Sequence, residues 1–177
     1  MPISQTILPE FEQEIASTRK LLALVPFDKP DFKPHEKSMT IQRLASHIAE
    51  LPNYMATPLT TERLDMDGSY KPWLAASSSE LLSNFDKNVE TARKAITNAS
   101  DADWHKIWTF TYNGAPVFSM PVMACYRTSA MNHLIHHRAQ LGVYLRLRDI
   151  AIPGMYGPSN DEMKFWDQPK EKAAVPA

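Results

Sequence analysis

The chain lacks the features that identify several common classes of protein. It has 177 residues but a single cysteine, Cys125, so no internal disulfide can form. No apolar run approaches the roughly 18–20 residues that a membrane helix requires. Acidic residues interrupt the N-terminal segment where a signal peptide would have its apolar centre. These absences favour a soluble, cytoplasmic protein without a membrane segment.

Strong charge of either sign is also missing. The formal net charge is −1, and no long basic block is present. Nucleic acid binding therefore has little electrostatic support. Apolar residues make up 44% of the chain, a value typical of globular proteins, and the length suffices for a sizeable core. We expect one domain over residues 1–177, with its last residues forming a frayed tail.

Four segments have the apolar spacing of long helices. The first carries its apolar face on Ile7, Phe11, Ile15, Leu22 and Val25. Pro9 suits the first turn of that helix better than its interior. The second helix is predicted to follow an N-cap at Thr40, and the third opens with Ser77 and Glu80 at capping-box spacing. The fourth is predicted to start near Ser119, with Pro121 in its first turn.

The connections between these helices differ in kind. The segment TERLDMDGSYKPW, residues 61–73, is interpreted as a loop. In WTFTYNGAPVFSM, residues 108–120, aromatic residues alternate with threonines before the turn signal Asn113-Gly114. This pattern predicts a short hairpin or extended excursion before the fourth helix. The predicted fold class is therefore all-α: a four-helix bundle with this small insert.

Three of the six histidines lie in the segment MNHLIHHRAQ of the fourth predicted helix. His133 and His137 are four residues apart, which places their Cβ atoms about 5–6 Å apart on one helix face. His136 is rotated by about 100° from His137 and cannot share that geometry equally. His35, in a linker, and His105, after a tryptophan, are expected at the surface.

A third ligand would have to come from another helix, because two histidines hold a divalent ion weakly. His47 is the best candidate, since it lies at the edge of the apolar stripe formed by Leu44, Ile48 and Leu51. Three neutral imidazoles suit zinc, nickel, copper or iron better than magnesium or calcium. The spacing alone leaves a second interpretation open, in which these histidines are only hydrogen-bonded within the protein.

Two segments resemble the DinB-like (DinB/YfiT) family. KSMTIQRLASHIAEL resembles the second-helix motif of that family, and HLIHHRAQLGVYLR followed by PGMYGPSNDE resembles its fourth-helix motif and tail. The resemblance implies a four-helix bundle in an up-down-down-up arrangement and a metal held by His47, His133 and His137. It also implies a homodimer. Ala139 stands where the family often has glycine, and little effect is expected from the added methyl group.

An open three-histidine site suggests two chemistries. Catalytic zinc sites keep one position for water or substrate, and such an ion favours a bound hydroxide or a thiolate. Some DinB-like proteins are thiol S-transferases, so the leading hypothesis is a metal-dependent thiol S-transferase in detoxification or stress response. It would use zinc or nickel, a low-molecular-weight thiol and a small-molecule electrophile. The alternatives are a non-catalytic metal-binding stress protein and a metal-dependent hydrolase; no catalytic residue is assigned.

Substrate contacts are predicted for Tyr54, two turns after His47, and for Tyr156, which either folds over the site as a hydrogen-bond donor or packs the tail onto the bundle. Arg138 and Gln140 belong to the histidine motif and serve either a helix contact or the support of a ligand. Cys125, two turns before His133, is expected to be a buried small residue and not a ligand. A core role is favoured over a lid role for Trp104, Trp108 and Phe110.

Overall fold

The computed structural model describes residues 1–163 of the chain. The elements follow in the order α1 (Ile3–Leu22), α2 (Ile41–Thr60), β1 (Arg63–Met66), α3 (Ser78–Asn98), α4 (Asp101–His105), β2 (Ile107–Tyr112), β3 (Ala115–Pro121), α5 (Val122–Cys125), a π segment (Tyr126–Met131), α6 (Asn132–Arg146) and α7 (Asn160–Met163). The described chain is therefore mostly helical, with one small sheet. The frayed end expected from the sequence lies outside the described residues.

The predicted N-caps are confirmed, although one differs in detail. The Thr40 hydroxyl accepts the Arg43 N–H at 3.2 Å, and the Ser77 hydroxyl accepts the Glu80 N–H at 3.2 Å. The Glu80 carboxylate, however, accepts the N–H of Ala76 at 2.7 Å, one residue before the cap, so the reciprocal contact of a capping box is not the one formed. Such caps satisfy amide donors that a helix start leaves free.

The placement of Pro9 in a first turn is wrong. Helix α1 begins at Ile3, so Pro9 lies in its interior and the helix lacks one amide donor there. The apolar face of α1 is nevertheless buried as predicted, with Ile7 at 2% and Phe11 at 0% exposure. Burying a side chain of this size contributes about 1.5–3 kcal/mol, so packing outweighs the loss of one helical hydrogen bond.

The long helices share one apolar core. Helix α2 packs against α3 on one side and against the π segment and α6 on the other, while α1 packs against α3 and α6. The side chains that meet there include Leu44, Ile48, Phe85 and Leu134, each at most 1% exposed. This packing brings the middle of α2 beside the start of α6. Within residues 1–163, no helix is long and apolar enough to cross a membrane.

The three strands form a sheet in the order β1-β2-β3. β2 and β3 are antiparallel and are joined at Asn113 and Gly114, whose φ angles of +49° and +76° suit the predicted hairpin turn. The hairpin is thus confirmed. The interpretation of residues 61–73 as loop alone is wrong, because Arg63–Met66 pairs in parallel with β2. So short a strand has no clear pattern of its own and depends on a partner far along the chain.

The predicted start of the fourth long helix is also wrong. Ser119 lies in β3 and pairs with Thr109, and Pro121 ends that strand, so helical structure begins at Val122. From there α5, the π segment and α6 run without interruption to Arg146. In the π segment the backbone N–H of Asn132 bonds the carbonyl of Arg127, five residues earlier. Such π turns inside helices are frequent at functional sites.

Candidate metal centre

The three predicted histidines meet between α2 and α6. His47 comes from α2, and His133 and His137 come from adjacent turns of α6. The ring centroids are 5.0 Å apart for His47 and His133, 4.8 Å for His47 and His137, and 4.6 Å for His133 and His137. All three side chains are buried or half-buried. The structure therefore brings together the residues that spacing and family resemblance both selected.

The nitrogen atoms of these rings are placed as ligands of one ion would be. The Nε2 atom of His133 lies 3.3 Å from Nε2 of His47 and 2.9 Å from Nε2 of His137. Two ligand atoms with metal–nitrogen bonds of about 2.0–2.1 Å can be at most about 4 Å apart, so both separations are short enough for one ion to bind the two nitrogens. The three-histidine group could thus hold a metal ion.

Two of the histidines have their tautomers set by acceptors behind them. The Nδ1 atom of His137 lies 2.7 Å from Oε1 of Gln140, and that of His133 lies 3.3 Å from the carbonyl of Ser129 in the π segment. Because both partners are oxygen acceptors, Nδ1 carries the proton and donates it. The Nε2 lone pairs therefore face the centre of the group, as metal ligation requires.

Burial keeps the same two rings neutral. Burial, with smaller contributions from the neighbouring His133 and His47, lowers the pKa of His137 to about 4. Burial also lowers the pKa of His133, with His47 as the next cause. A protonated imidazole cannot bind a cation, so these shifts favour the ligand form at neutral pH.

An apolar cavity of about 360 Å³ opens beside His47 and His133. Its wall comes from α2, from all three strands and from the helical segment before α6. The lining side chains beyond the two histidines are Tyr54, Thr57, Pro58, Leu64, Met66, Trp108, Phe110, Phe118, Cys125 and Ser129. Tyr54 was predicted to line the cleft, and burial raises the pKa of its hydroxyl to about 12, so the phenol stays neutral.

Tyr156 lies in a different environment. Its hydroxyl donates to Oε2 of Glu14 at 2.9 Å and accepts from Nη2 of Arg138 at 2.8 Å. It is not among the residues that line the cavity beside the histidines. The geometry matches the second interpretation, in which this tyrosine packs the tail against the helices. Its substrate contact stays a prediction without support from this arrangement.

The Arg138 side chain is buried and serves a helix contact. Its Nη2 lies 2.6 Å from Oε2 of Glu14, and its Nη1 donates to the Glu14 carbonyl and the Thr18 hydroxyl at 3.0 and 3.2 Å. Glu14 and Arg138 are 5% and 2% exposed. The partner of Arg138 could not be predicted from the sequence, because Glu14 lies on α1, far away in the chain.

The other histidines, the aromatic residues and Cys125 lie in different environments. His35, His105 and His136 are exposed, as expected. Trp104 belongs to the core, where its Nε1 donates to the Ser4 hydroxyl. Trp108 is 4% exposed and belongs to the core, and Phe110 is half-buried against it, which agrees with the favoured core role. Both residues also line the cavity. Cys125 is buried as expected and is not in the metal-binding group.

Two residues of the site were missed in the sequence. Ser129 supports His133 through a backbone carbonyl, which no side-chain pattern can reveal. Glu50 lies one turn after His47 on α2, with a carboxylate oxygen 3.9 Å from His47 Nδ1. Its i,i+3 spacing from a candidate ligand was a usable signal. Ala139, the departure from the family pattern, is exposed.

Comparison with known proteins agrees with the family resemblance found in the sequence. A DinB-like protein from Bacillus cereus has a TM-score of 0.69 at 24% identity, over 88% of this chain and 98% of its own. A DinB-like protein from Bacillus subtilis, YjoA, has a TM-score of 0.65 at 19% identity, over 85% and 97%. These likenesses concern the fold. The search of curated proteins found no match. The DinB family model matches residues 1–172, and the chain therefore belongs to the DinB family.

Proposed function

We propose that this protein is a metal-dependent thiol S-transferase that acts in detoxification or stress response in the cytoplasm. The observation that carries the proposal is the convergence of three Nε2 atoms beside an apolar cavity. Three protein ligands leave coordination positions for an exogenous group, and the cavity leaves room for a second reactant. Zinc and nickel are among the ions that suit three neutral imidazoles, and they are the metals that we propose.

A transition metal ion at this site supplies a Lewis-acidic centre that favours the thiolate form of a thiol at neutral pH. In the transfer, the thiol sulfur forms a bond to the electrophilic carbon. The leaving group departs with the electron pair of the broken bond, and the thiol proton goes to solvent. A low-molecular-weight thiol and a small-molecule electrophile are the proposed substrates.

The protein's own residues contribute orientation and exclusion of water. Gln140 and the Ser129 carbonyl hold two of the rings with Nε2 inward. The aromatic wall around Trp108 and Phe118 keeps water away from an electrophile, which favours attack by sulfur over hydrolysis. The nearby carboxylate of Glu50 lies on the Nδ1 side of His47 and is paired with Arg43. It is poorly placed to activate a water molecule, which argues against a hydrolase.

The test combines elemental analysis with a thiol-consumption assay. Purified protein should contain close to one zinc or nickel ion per chain, and the metal-loaded form should consume thiol faster than the metal-free form with at least one pair from a panel of thiols and electrophiles. His47→Ala and His133→Ala should lose both metal and activity. His136→Ala is the matched control, since His136 is exposed beside the ligands, and it should retain both.

Each alternative has its own signature in this experiment. No rate above that of the metal-free protein across the panel, with metal still bound, would favour a non-catalytic metal-binding stress protein. Ester or amide hydrolysis that a chelator abolishes would favour the hydrolase. Absence of any bound transition metal in the protein, together with no uptake of zinc or nickel, would remove the basis of all three.

We also propose that residues 1–177 form one domain and a homodimer, and that the long helices adopt the up-down-down-up bundle of the family. Packing of α1 against α3 and α6, and of α2 against α3 and α6, supports this arrangement. Sedimentation equilibrium of the purified protein would test the dimer.

A further inference from the structure

The cavity beside the histidines is lined mainly by uncharged side chains. Apart from the two histidines, the side chains that line it within the described part of the chain carry no carboxylate, ammonium or guanidinium group. We propose that this cavity binds the electrophile, and that it selects an uncharged, apolar molecule built on one aromatic ring and rejects an anionic one. The inference rests on the proposed function, whose second substrate it specifies.

The cost of desolvation supports the choice of a neutral ligand. A carboxylate or sulfonate entering this cavity would lose its hydration, and its apolar walls would return no ion pair. The faces of aromatic rings are negative and add repulsion for an anion. The binding of an apolar ligand is instead favoured in proportion to the apolar area that is buried.

The hairpin supplies the aromatic surface that a flat ligand requires. Trp108, Phe110 and Phe118 line the cavity, and the Phe118 ring centroid lies 6.1 Å from that of Trp108 and 5.5 Å from that of Phe110. The indole of Trp108 is oriented by a 3.0 Å hydrogen bond from its Nε1 to the Thr61 hydroxyl. Rings held in this way offer stacking and edge contacts to a further aromatic ring.

The size of the cavity is sufficient for a ligand built on one aromatic ring. A volume of about 360 Å³ lies near the lower end of the range of roughly 300–1,000 Å³ found for ligand sites, and a substituted single ring fits this space. The adjoining cavity, across Tyr54 and Leu64, is more polar, because its lining includes Glu50, Asn53 and Asn84. Of these two neighbouring cavities, the one that faces the histidines is therefore the better suited to an apolar ligand.

The test measures binding without turnover. The probes are 1,3-dinitrobenzene, a neutral ring without a leaving group, and 3,5-dinitrobenzoate, its anionic counterpart. Both quench tryptophan fluorescence, and Trp108 lies in the cavity wall. Titrations use metal-free protein, in which the carboxylate cannot be captured by an ion, and zinc-loaded protein. The neutral probe should bind at least about tenfold more tightly than the anion to the metal-free form.

Two variants on one strand control for the position of binding. Phe118→Ala removes a half-buried ring of the cavity wall and should weaken binding of 1,3-dinitrobenzene about tenfold. Val117→Ala changes the adjacent residue, which is 58% exposed and does not line the cavity, and should leave the affinity unchanged. Trp108→Phe should abolish most of the quenching. Circular dichroism would confirm that each variant is folded.

The outcomes separate this inference from the proposed function. Equal affinity for the two probes, or an affinity that Phe118→Ala leaves unchanged, would overturn the inference. Thiol consumption with anionic electrophiles at rates equal to those with neutral ones would overturn it while leaving the transferase intact. Tight, Phe118-dependent binding of the neutral probe without any thiol consumption would support the cavity assignment and contradict the transferase.

A second, independent inference concerns Glu50. The Nδ1 atom of His47 is buried and has no hydrogen-bond partner among the described residues, whereas His133 and His137 each have an acceptor. The Oε2 atom of Glu50 lies 3.9 Å from it and is held by Nη1 of Arg43 at 3.0 Å. We infer that Glu50 is the positioning residue of His47, whose carboxylate accepts a hydrogen bond from the His47 Nδ1–H when an ion binds Nε2.

The geometry requires only a small movement. A distance of 3.9 Å exceeds that of a hydrogen bond by about 1 Å, which a side-chain adjustment within one helical turn can close. Pairs of a carboxylate and a metal-bound histidine are common, and the carboxylate orients the ring and strengthens it as a ligand. With Glu50, all three rings would have an acceptor behind them.

The test uses zinc affinity and a spectroscopic signal from His47 itself. Glu50→Ala should weaken zinc binding about tenfold or more in a chelator competition. In the zinc-loaded protein the His47 Nδ1 proton resonance should move upfield, while those of His133 and His137 stay in place. Glu90→Ala, at an exposed carboxylate on α3, is the control and should change neither. An unchanged His47 resonance and zinc affinity in Glu50→Ala would overturn the assignment.

Discussion

The buried pair of Glu14 and Arg138 allows a quantitative prediction. Its charged atoms are 2.6 Å apart, and the two side chains are 6% and 2% exposed. Replacing Arg138 by Met keeps most of the aliphatic stem but leaves the Glu14 carboxylate without its cation. Removing one partner of a buried pair costs about 3–5 kcal/mol. That is a large share of the roughly 5–15 kcal/mol by which a domain is stable.

The double variant Glu14→Leu with Arg138→Met should regain most of this loss. Replacing both charges by apolar groups removes the uncompensated charge, and such replacements are often neutral or stabilising. The other members of the network keep partners, because the Thr18 hydroxyl still donates to the Glu14 carbonyl at 2.7 Å. Tyr156, 65% exposed, can turn its hydroxyl to water.

Urea unfolding followed by circular dichroism measures the effect. The two single variants, the double variant and the wild type are compared under conditions where the slope against urea is unchanged. Tyr156→Phe is the control for the hydroxyl, and it should cost about 1 kcal/mol. A loss below about 1 kcal/mol in Arg138→Met, or a double variant as unstable as the sum of the singles, would refute the reasoning.

Three further predictions follow from the site and the hairpin. Since the pKa values of His133 and His137 are lowered in the fold, the unfolded chain binds more protons below pH about 6.5. The metal-free protein should therefore lose stability as the pH falls from about 6.5 toward about 4, and its urea midpoint should fall more steeply than that of a His133→Gln, His137→Gln variant. Gln140→Leu should weaken zinc binding about tenfold in a chelator competition, because His137 loses its acceptor; unchanged affinity would contradict this role. Gly114→Val should destabilise the protein by about 1–3 kcal/mol in urea unfolding, because a β-branched residue is strained at a φ of +76°, whereas Val117→Ala should have little effect.

Much of the architecture could be predicted from local patterns. The apolar faces of the long helices, the caps at Thr40 and Ser77 and the turn at Asn113-Gly114 depend on residues within a few positions of one another. The start of the fourth helix could not, because Ser119 has no local signal that outweighs pairing with Thr109. In general, an element whose stability comes from a distant partner has a weak pattern of its own.

The candidate site likewise has parts that could be predicted from the sequence and parts that could not. Spacing on α6 placed His133 and His137 on one face, and both the apolar stripe of α2 and the resemblance to a family selected His47, so the three candidate ligands were predicted from the sequence. The acceptors behind the rings were not, apart from Gln140 within the recognised motif. Ser129 acts through its backbone, and Glu50 is significant only because α2 packs beside α6.

The sequence by itself determined the apolar faces of the long helices, although not the start of the fourth, and the three side chains that are chemically suited to a transition metal. Only the tertiary structure decided that the Nε2 atoms of His47 and His137 both lie within 3.3 Å of Nε2 of His133. It also decided that an apolar cavity opens beside these histidines and that Arg138 pairs with Glu14. The physical reason is the range of the interactions. Helical periodicity and capping act over a few residues, whereas a cavity or a buried ion pair exists only when segments from distant parts of the chain pack together.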